Sequence, residues 1–133
     1  RKPLRGGPRR VGVEKHPACA DGLARAFRRE VDVVGSATTG PSGVAVAQLR
    51  RPAVVTVSAD VPGSPWQAIT RIVAEGDGET SVLLIADREN QYLADHAMSA
   101  GASRVESKRA PHADLMQAVL RVASGREHWP PPC

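Results

Sequence analysis

Short runs rich in Val, Ile and Thr alternate along this chain with longer segments whose apolar residues recur at helical spacing. That alternation constrains the fold more than any other feature. A strand that reaches the next one only through a helix pairs with it in parallel, and the intervening helix must then cover a face of the sheet. The spacing predicts strands at Arg10 to Glu14, Val31 to Thr38, Ala53 to Ser58, Ser81 to Ala86 and Ser103 to Ser107. Helices are expected over Ala18 to Glu30, Ser42 to Arg51, Trp66 to Gly76, Arg88 to Ala100 and Pro111 to Ser124. Gly40-Pro41 reads as a turn after the second strand, Pro52 as a helix stop, and Ser64 or Gly63 as a helix cap. Ala-Val-Val-Thr-Val-Ser at 53–58 is apolar on both faces, as a strand covered on both sides must be. Val82 to Ile85 is the most apolar stretch and is expected at the centre of the sheet. The chain therefore reads as α/β, a flavodoxin-like (βα)5 doubly wound sheet in strand order 2-1-3-4-5, with its sites at the carboxyl ends of the strands.

A chain of 133 residues suits one domain and can bury roughly two-thirds of its unfolded surface without staples. Residues 10–125 form that domain. Residues 1–9 read as a basic tail, Arg1 to Arg10 as a solvated basic run, and 126–133 as the start of a proline-rich linker. The two cysteines, Cys19 and Cys133, with no Cys-x-x-Cys spacing, exclude a thiolate zinc site and fit a reducing, cytoplasmic setting. His16, His96, His112 and His128 share no ligand spacing. Neither a metal nor a cofactor is expected. No apolar run approaches the roughly 18 to 20 residues of a membrane span, so no membrane partner is expected. The net charge of +4 speaks to solubility before it speaks to binding. The aromatic residues, Phe27, Trp66, Tyr92 and Trp129, are too few for a surface that stacks single-stranded bases.

The first strand ends on Glu14-Lys15-His16-Pro17, with no glycine, which excludes a phosphate-cradling loop of the Rossmann or P-loop kind. No nucleophile, base and orienting group gather at the strand ends, so the chain is not read as an enzyme. What the ends do carry is Glu14 to Pro17, Arg51 to Val55, Val61-Pro62-Gly63, Ala100-Gly101-Ala102-Ser103 and Lys108, with Gly125 to Trp129 closing the domain. In combined spacing these resemble the receiver domain of a bacterial response regulator. The likeness is closest to the NarL-type group, whose members carry a LuxR-type helix-turn-helix.

The resemblance implies a phosphorylation site whose residues have changed. The phosphoacceptor position, four before Pro62, holds Ser58 instead of an aspartate. A serine hydroxyl without an adjacent base does not readily replace a carboxylate nucleophile. Asp60, two before Pro62, is expected to point to the wrong side of the loop. The acidic pair that would hold magnesium matches Glu14 and Lys15. One carboxylate survives, the other is an ammonium, and no bound metal is expected. Lys15 is then expected to stand in the cation's place and pair with Glu14. The hydroxyl position at the end of strand four matches Ala86, and the aromatic position three before the lysine matches Val105. Lys108 is kept. Blander readings stand beside these: Ser58 as a small residue at a strand end, Lys108 as a solvated lysine, Trp66 as a helix-surface residue.

The chain is accordingly identified as a pseudo-receiver. It is expected to be a phosphorylation-independent regulatory and dimerisation domain that controls transcription. Its expected partners are a second copy, DNA through a C-terminal domain outside this chain, and a small-molecule effector in a pocket of Glu14, Ser58, Trp66 and Ala86. The alternative is a stand-alone protein–protein interaction module with the same fold.

Overall fold

The computed structural model describes residues 7–15, 31–87 and 90–124. They form β1 (Arg9–Val13), β2 (Asp32–Ala37), α1 (Gly40–Arg50), β3 (Val54–Ser58), α2 (Pro65–Glu75), β4 (Ser81–Ala86), α3 (Gln91–Ala100), β5 (Arg104–Ser107) and α4 (His112–Ala123). The helix expected over Ala18 to Glu30 and the linker at 126–133 lie outside the described residues. Among those described, no helix is long and apolar enough to cross a membrane.

All neighbouring strands pair in parallel, in the expected flavodoxin-like order β2-β1-β3-β4-β5. The middle place belongs to β3, not to β4 as the apolar run at 82–85 suggests. Every residue of β3 is buried. Alternation along the strands divides the core. Val55, Val57, Val82 and Leu84 pack with Val44 and Ala47 of α1, Ala68, Ile69 and Ile72 of α2, and Ala97 of α3. Val54, Leu83 and Ile85 pack on the other face, against Leu115, Met116, Val119 and Val122 of α4. Apolar burial on both faces makes the sheet a two-sided layer, and the strand ends emerge between the layers.

Two local expectations are corrected. Gly40-Pro41 is the first turn of α1, not a loop that follows the second strand. Thr39 caps that helix: its Oγ1 accepts from the Ser42 amide at 3.1 Å, and Ser42 Oγ accepts from the Thr39 amide at 3.2 Å. This reciprocal pair supplies partners to two helix-end amides and starts the helix two residues earlier. The basic run is also not a tail throughout. Arg9 joins β1, and Arg10, the expected first residue of that strand, is not solvated but only 1 % exposed.

The start of α1 sits on the β3–α2 loop. Gly40 N–H donates to Pro62 O at 2.8 Å, and a Cβ at Gly40 would lie 2.6 Å from the Gly63 carbonyl oxygen. Gly63 itself has φ +85°, a conformation that suits glycine. Only a glycine pair lets these backbones meet, and that contact fixes the loop that carries Ala59 to Ser64. Gly40→Ala should therefore lower stability by about 1–3 kcal/mol, since a backbone atom and not a flexible side chain must yield. Urea unfolding of the variant beside the wild type measures this.

Candidate functional site

The carboxyl ends of β1, β3, β4 and β5 meet at one edge of the sheet. Backbone hydrogen bonds hold them in register: Glu14 N–H donates to Ala37 O at 2.9 Å, Ala59 N–H to Ile85 O at 2.8 Å, and Lys108 N–H to Ala86 O at 2.7 Å. Ser107 Oγ closes the β4 and β5 ends by donating to Asp87 O at 3.0 Å. The resulting cavity has a volume of about 180 Å3 and is lined by Ser58, Ala59, Asp60, Ala86, Asp87, Leu93 and Lys108.

Ser58 ends β3 fully buried, and its hydroxyl donates to Asp60 Oδ1 at 2.6 Å. Val61 N–H reaches back to Ser58 O at 3.2 Å, so the chain folds over itself here. That turn brings the Asp60 carboxylate into the site. The expectation that Asp60 points away is overturned: its Oδ2 lies 3.7 Å from Lys15 Nζ and its Oδ1 lies 3.8 Å from Lys108 Nζ. Lys108 also lies 3.8 Å from Glu14 Oε1. Lys15 thus pairs with Asp60 rather than with Glu14, which is only 2 % exposed beside Lys108.

Beneath this edge lies a buried polar row that the sequence did not disclose. Arg10 and Gly12 alternate on one face of β1, and Glu14 follows directly after the strand. The Arg10 side chain runs over Gly12, where a Cβ would come within 2.9 Å of its Nη2. Its Nε and Nη2 both donate to Thr56 Oγ1, at 3.0 and 2.6 Å. Burial pulls the Arg10 pKa down to about 10 while the charge of Glu14 acts in the opposite direction, so the guanidinium stays charged at neutral pH. The available signal was Gly12 two residues after an arginine in a strand, a gap that a long side chain can fill.

The residues read from the sequence as one pocket are divided. Ser58 and Ala86 line the strand-end cavity, with Lys108 and Asp60. Trp66, in the first turn of α2, faces α3 instead, and its ring lies 5.0 Å from that of His96. His96 in turn lies 4.5 Å from the Tyr92 ring. A separate groove of about 410 Å3 is lined there by Trp66, Gln67, Thr70, Arg71, His96, Ser99 and Ala100. Val105 belongs to neither cavity, since it is buried in the core with Ala97 and Ala102. Among the described residues, no group of three or more His, Cys, Asp or Glu side chains could hold a metal ion.

Charge pairing of this kind has a pH signature. The Asp60 pKa is held below its ordinary value of 3.8, first by the Ser58 hydroxyl and then by Lys108 and Lys15, with partial burial opposing. A carboxyl whose folded pKa is depressed contributes stability that is present above the unfolded value and lost as pH falls through the folded one. Wild type should therefore lose more stability than Asp60→Asn on acidification below 3.8, as paired urea titrations at neutral and acid pH would measure. In the buried row, Thr56→Val should lower stability by about 1.5–3 kcal/mol, because it removes the oxygen that two donors of a charged group share. Thermal unfolding of that variant measures the loss.

No protein-family model matches the chain. The "Probable transcriptional regulatory protein NarL" of Mycobacterium tuberculosis is 27 % identical over 125 residues, which cover 90 % of this chain and 58 % of that protein. The solved signal receiver domain of NarL from the same organism superposes with a TM-score of 0.84 at 27 % identity, over 91 % of this chain and 99 % of that one. A LuxR-family two-component response regulator from Aurantimonas sp. SI85-9A1 gives 0.84 at 25 % identity, over 92 % and 89 %. The chain spans 58 % of the length of the first of these relatives.

Proposed function

We propose that this chain, which has the fold of receiver domains and whose relatives are NarL- and LuxR-type response regulators, is a phosphorylation-independent regulatory and dimerisation domain. On this reading it belongs to an atypical regulator in a two-component setting that controls transcription. The regulator would act as a homodimer and contact DNA through a C-terminal helix-turn-helix domain outside this chain.

The observation that carries this reading is the state of Ser58. The residue at the end of β3, where the resemblance requires an aspartate, is buried, and its hydroxyl is already donated to a neighbouring carboxylate. A serine of this kind has no base to activate it as a nucleophile, since Asp60 is a weak base held in its charged form by two ammoniums. Glu14 and Lys15 supply one carboxylate and one ammonium at the expected cation position, a poor donor set for magnesium. The hydroxyl that would follow a phosphoryl group is replaced by Ala86, and the side chain that would reorient in response is Val105, fixed in the core. Lys108 remains, and it is engaged by Glu14 and Asp60.

A second reading concerns the input. If a small molecule takes the place of phosphorylation, the groove beside Trp66 and His96 is the cavity with the required size, since ligand pockets commonly measure about 300–1,000 Å3. The strand-end cavity of Ser58, Asp60, Ala86 and Lys108 is smaller and more charged, and Glu14, read from the sequence into the same pocket, is not among its lining residues. Trp66→Ala would then abolish the ligand-induced thermal shift, whereas Lys108→Gln would leave it.

Incubation with acetyl phosphate and Mg2+ tests the main reading. Intact mass should show no stable gain of one phosphate on Ser58 or Asp60, and sedimentation should show the same dimer with and without the phosphodonor. A stable phosphate adduct on either residue would overturn the reading.

A further inference from the structure

Resting on the reading that Ser58 is not phosphorylated, we propose that Asp60 is the resident anion of the strand-end site. Its carboxylate stands where an external anionic group would otherwise be held, and ties the ends of β1, β3 and β5 into one arrangement. The geometry is specific. Oδ1 accepts the Ser58 hydroxyl at 2.6 Å and faces Lys108 Nζ at 3.8 Å, while Oδ2 faces Lys15 Nζ at 3.7 Å. Three donors from three strand ends thus converge on one carboxylate.

Charge balance makes the role clear. Lys15 and Lys108 face Glu14 and Asp60, and Glu14 also acts on the buried, charged guanidinium of Arg10. Glu14 is nearly fully buried and fixed by its own strand, so it cannot follow Lys15 outward. Remove Asp60 and the cations Arg10, Lys15 and Lys108 are left facing Glu14 beside a cavity of about 180 Å3, which is room enough for a small oxyanion. The Asp60 side chain is 48 % exposed and sits on the loop that Gly40 holds in place, so an anion from solution can reach the position that its carboxylate occupies. Asp87 also lines the cavity but is exposed at its rim, and it serves the β4–β5 ends through its backbone carbonyl. The site is thereby closed to outside anions by a group of its own, which holds Lys108 without any chemistry at Ser58.

Anion rescue tests this. The whole chain, as wild type, Asp60→Ala and Asp60→Asn, is unfolded by urea at neutral pH in chloride, acetate or inorganic phosphate of matched ionic strength. Each variant should show a folding equilibrium constant about two- to fivefold below wild type in chloride, the range of a partly exposed ion-pair network. Acetate or phosphate should restore Asp60→Ala toward wild type, beyond the general stabilisation that the same salts give the wild type. Lys108→Gln, added to Asp60→Ala, should remove that specific recovery. If Asp60→Ala is too unstable to measure, amide exchange at Lys108, Arg109 and Ala110 in Asp60→Asn carries the test, with faster exchange expected than in wild type. Equal stability of wild type and variants, an anion response no larger than that of the wild type, or unchanged exchange would overturn the proposal. The mass of the wild type after acetyl phosphate treatment reports separately on the reading beneath it. A phosphate adduct there refutes phosphorylation independence, whereas a missing anion response refutes only the role of Asp60.

Discussion

The burial of β3 on both faces is the constraint on which the rest of this molecule depends. Its five residues are closed off by apolar side chains from α1, α2 and α3 on one side and α4 on the other. Water is excluded along its whole length, so β1 and β4 must satisfy its backbone, and they do so in register, β1 from Val54 to Val57 and β4 from Val54 to Ser58. The end of this strand is the first point at which polar chemistry can reach solvent. Ser58, Asp60 and the cavity between them lie there for that reason.

The polar groups at this edge form two layers with different physics. Below the surface, Arg10 is held by Thr56 in a setting where a lost partner would leave a buried charge exposed to a low dielectric. At the surface, Lys15, Lys108 and Asp60 interact at 3.7 to 3.8 Å in contact with solvent, where each pair contributes at most about 1 kcal/mol. The lower layer keeps the strand ends rigid, and the upper one sets which charges the cavity presents. Glu14 joins them, since its charge acts on Arg10 and it also faces Lys108.

The strands were legible in the sequence to within a residue or two, because β-branched runs bounded by Pro and Gly leave few alternatives. Helix starts were less so. Thr39 and Ser42 form a capping box only if the intervening Gly40-Pro41 adopts helical geometry, and the Gly-Pro pair alone argues for a turn. The place of Lys108 at the end of β5 followed from spacing. The inward position of Asp60 did not, because the turn closed by the Val61 amide on Ser58 O belongs to a loop that also rests on α1 through the Gly40 amide and Pro62 O, a contact no sequence spacing announces. Arg10 misled for a related reason: in a basic run its charge reads as solvated, and Gly12 two residues on is the one local sign of the gap that its side chain fills.

By itself the sequence determined the parallel sheet and its strand order, because periodicity and residue identity are local properties. Tertiary structure alone decided which charges meet. It placed Asp60 between Lys15 and Lys108, separated Trp66 from Ser58 into different cavities and buried Arg10 against Thr56. Each of these depends on side chains from elements distant in sequence being brought within a few ångströms, and such distances are set by packing rather than by sequence spacing.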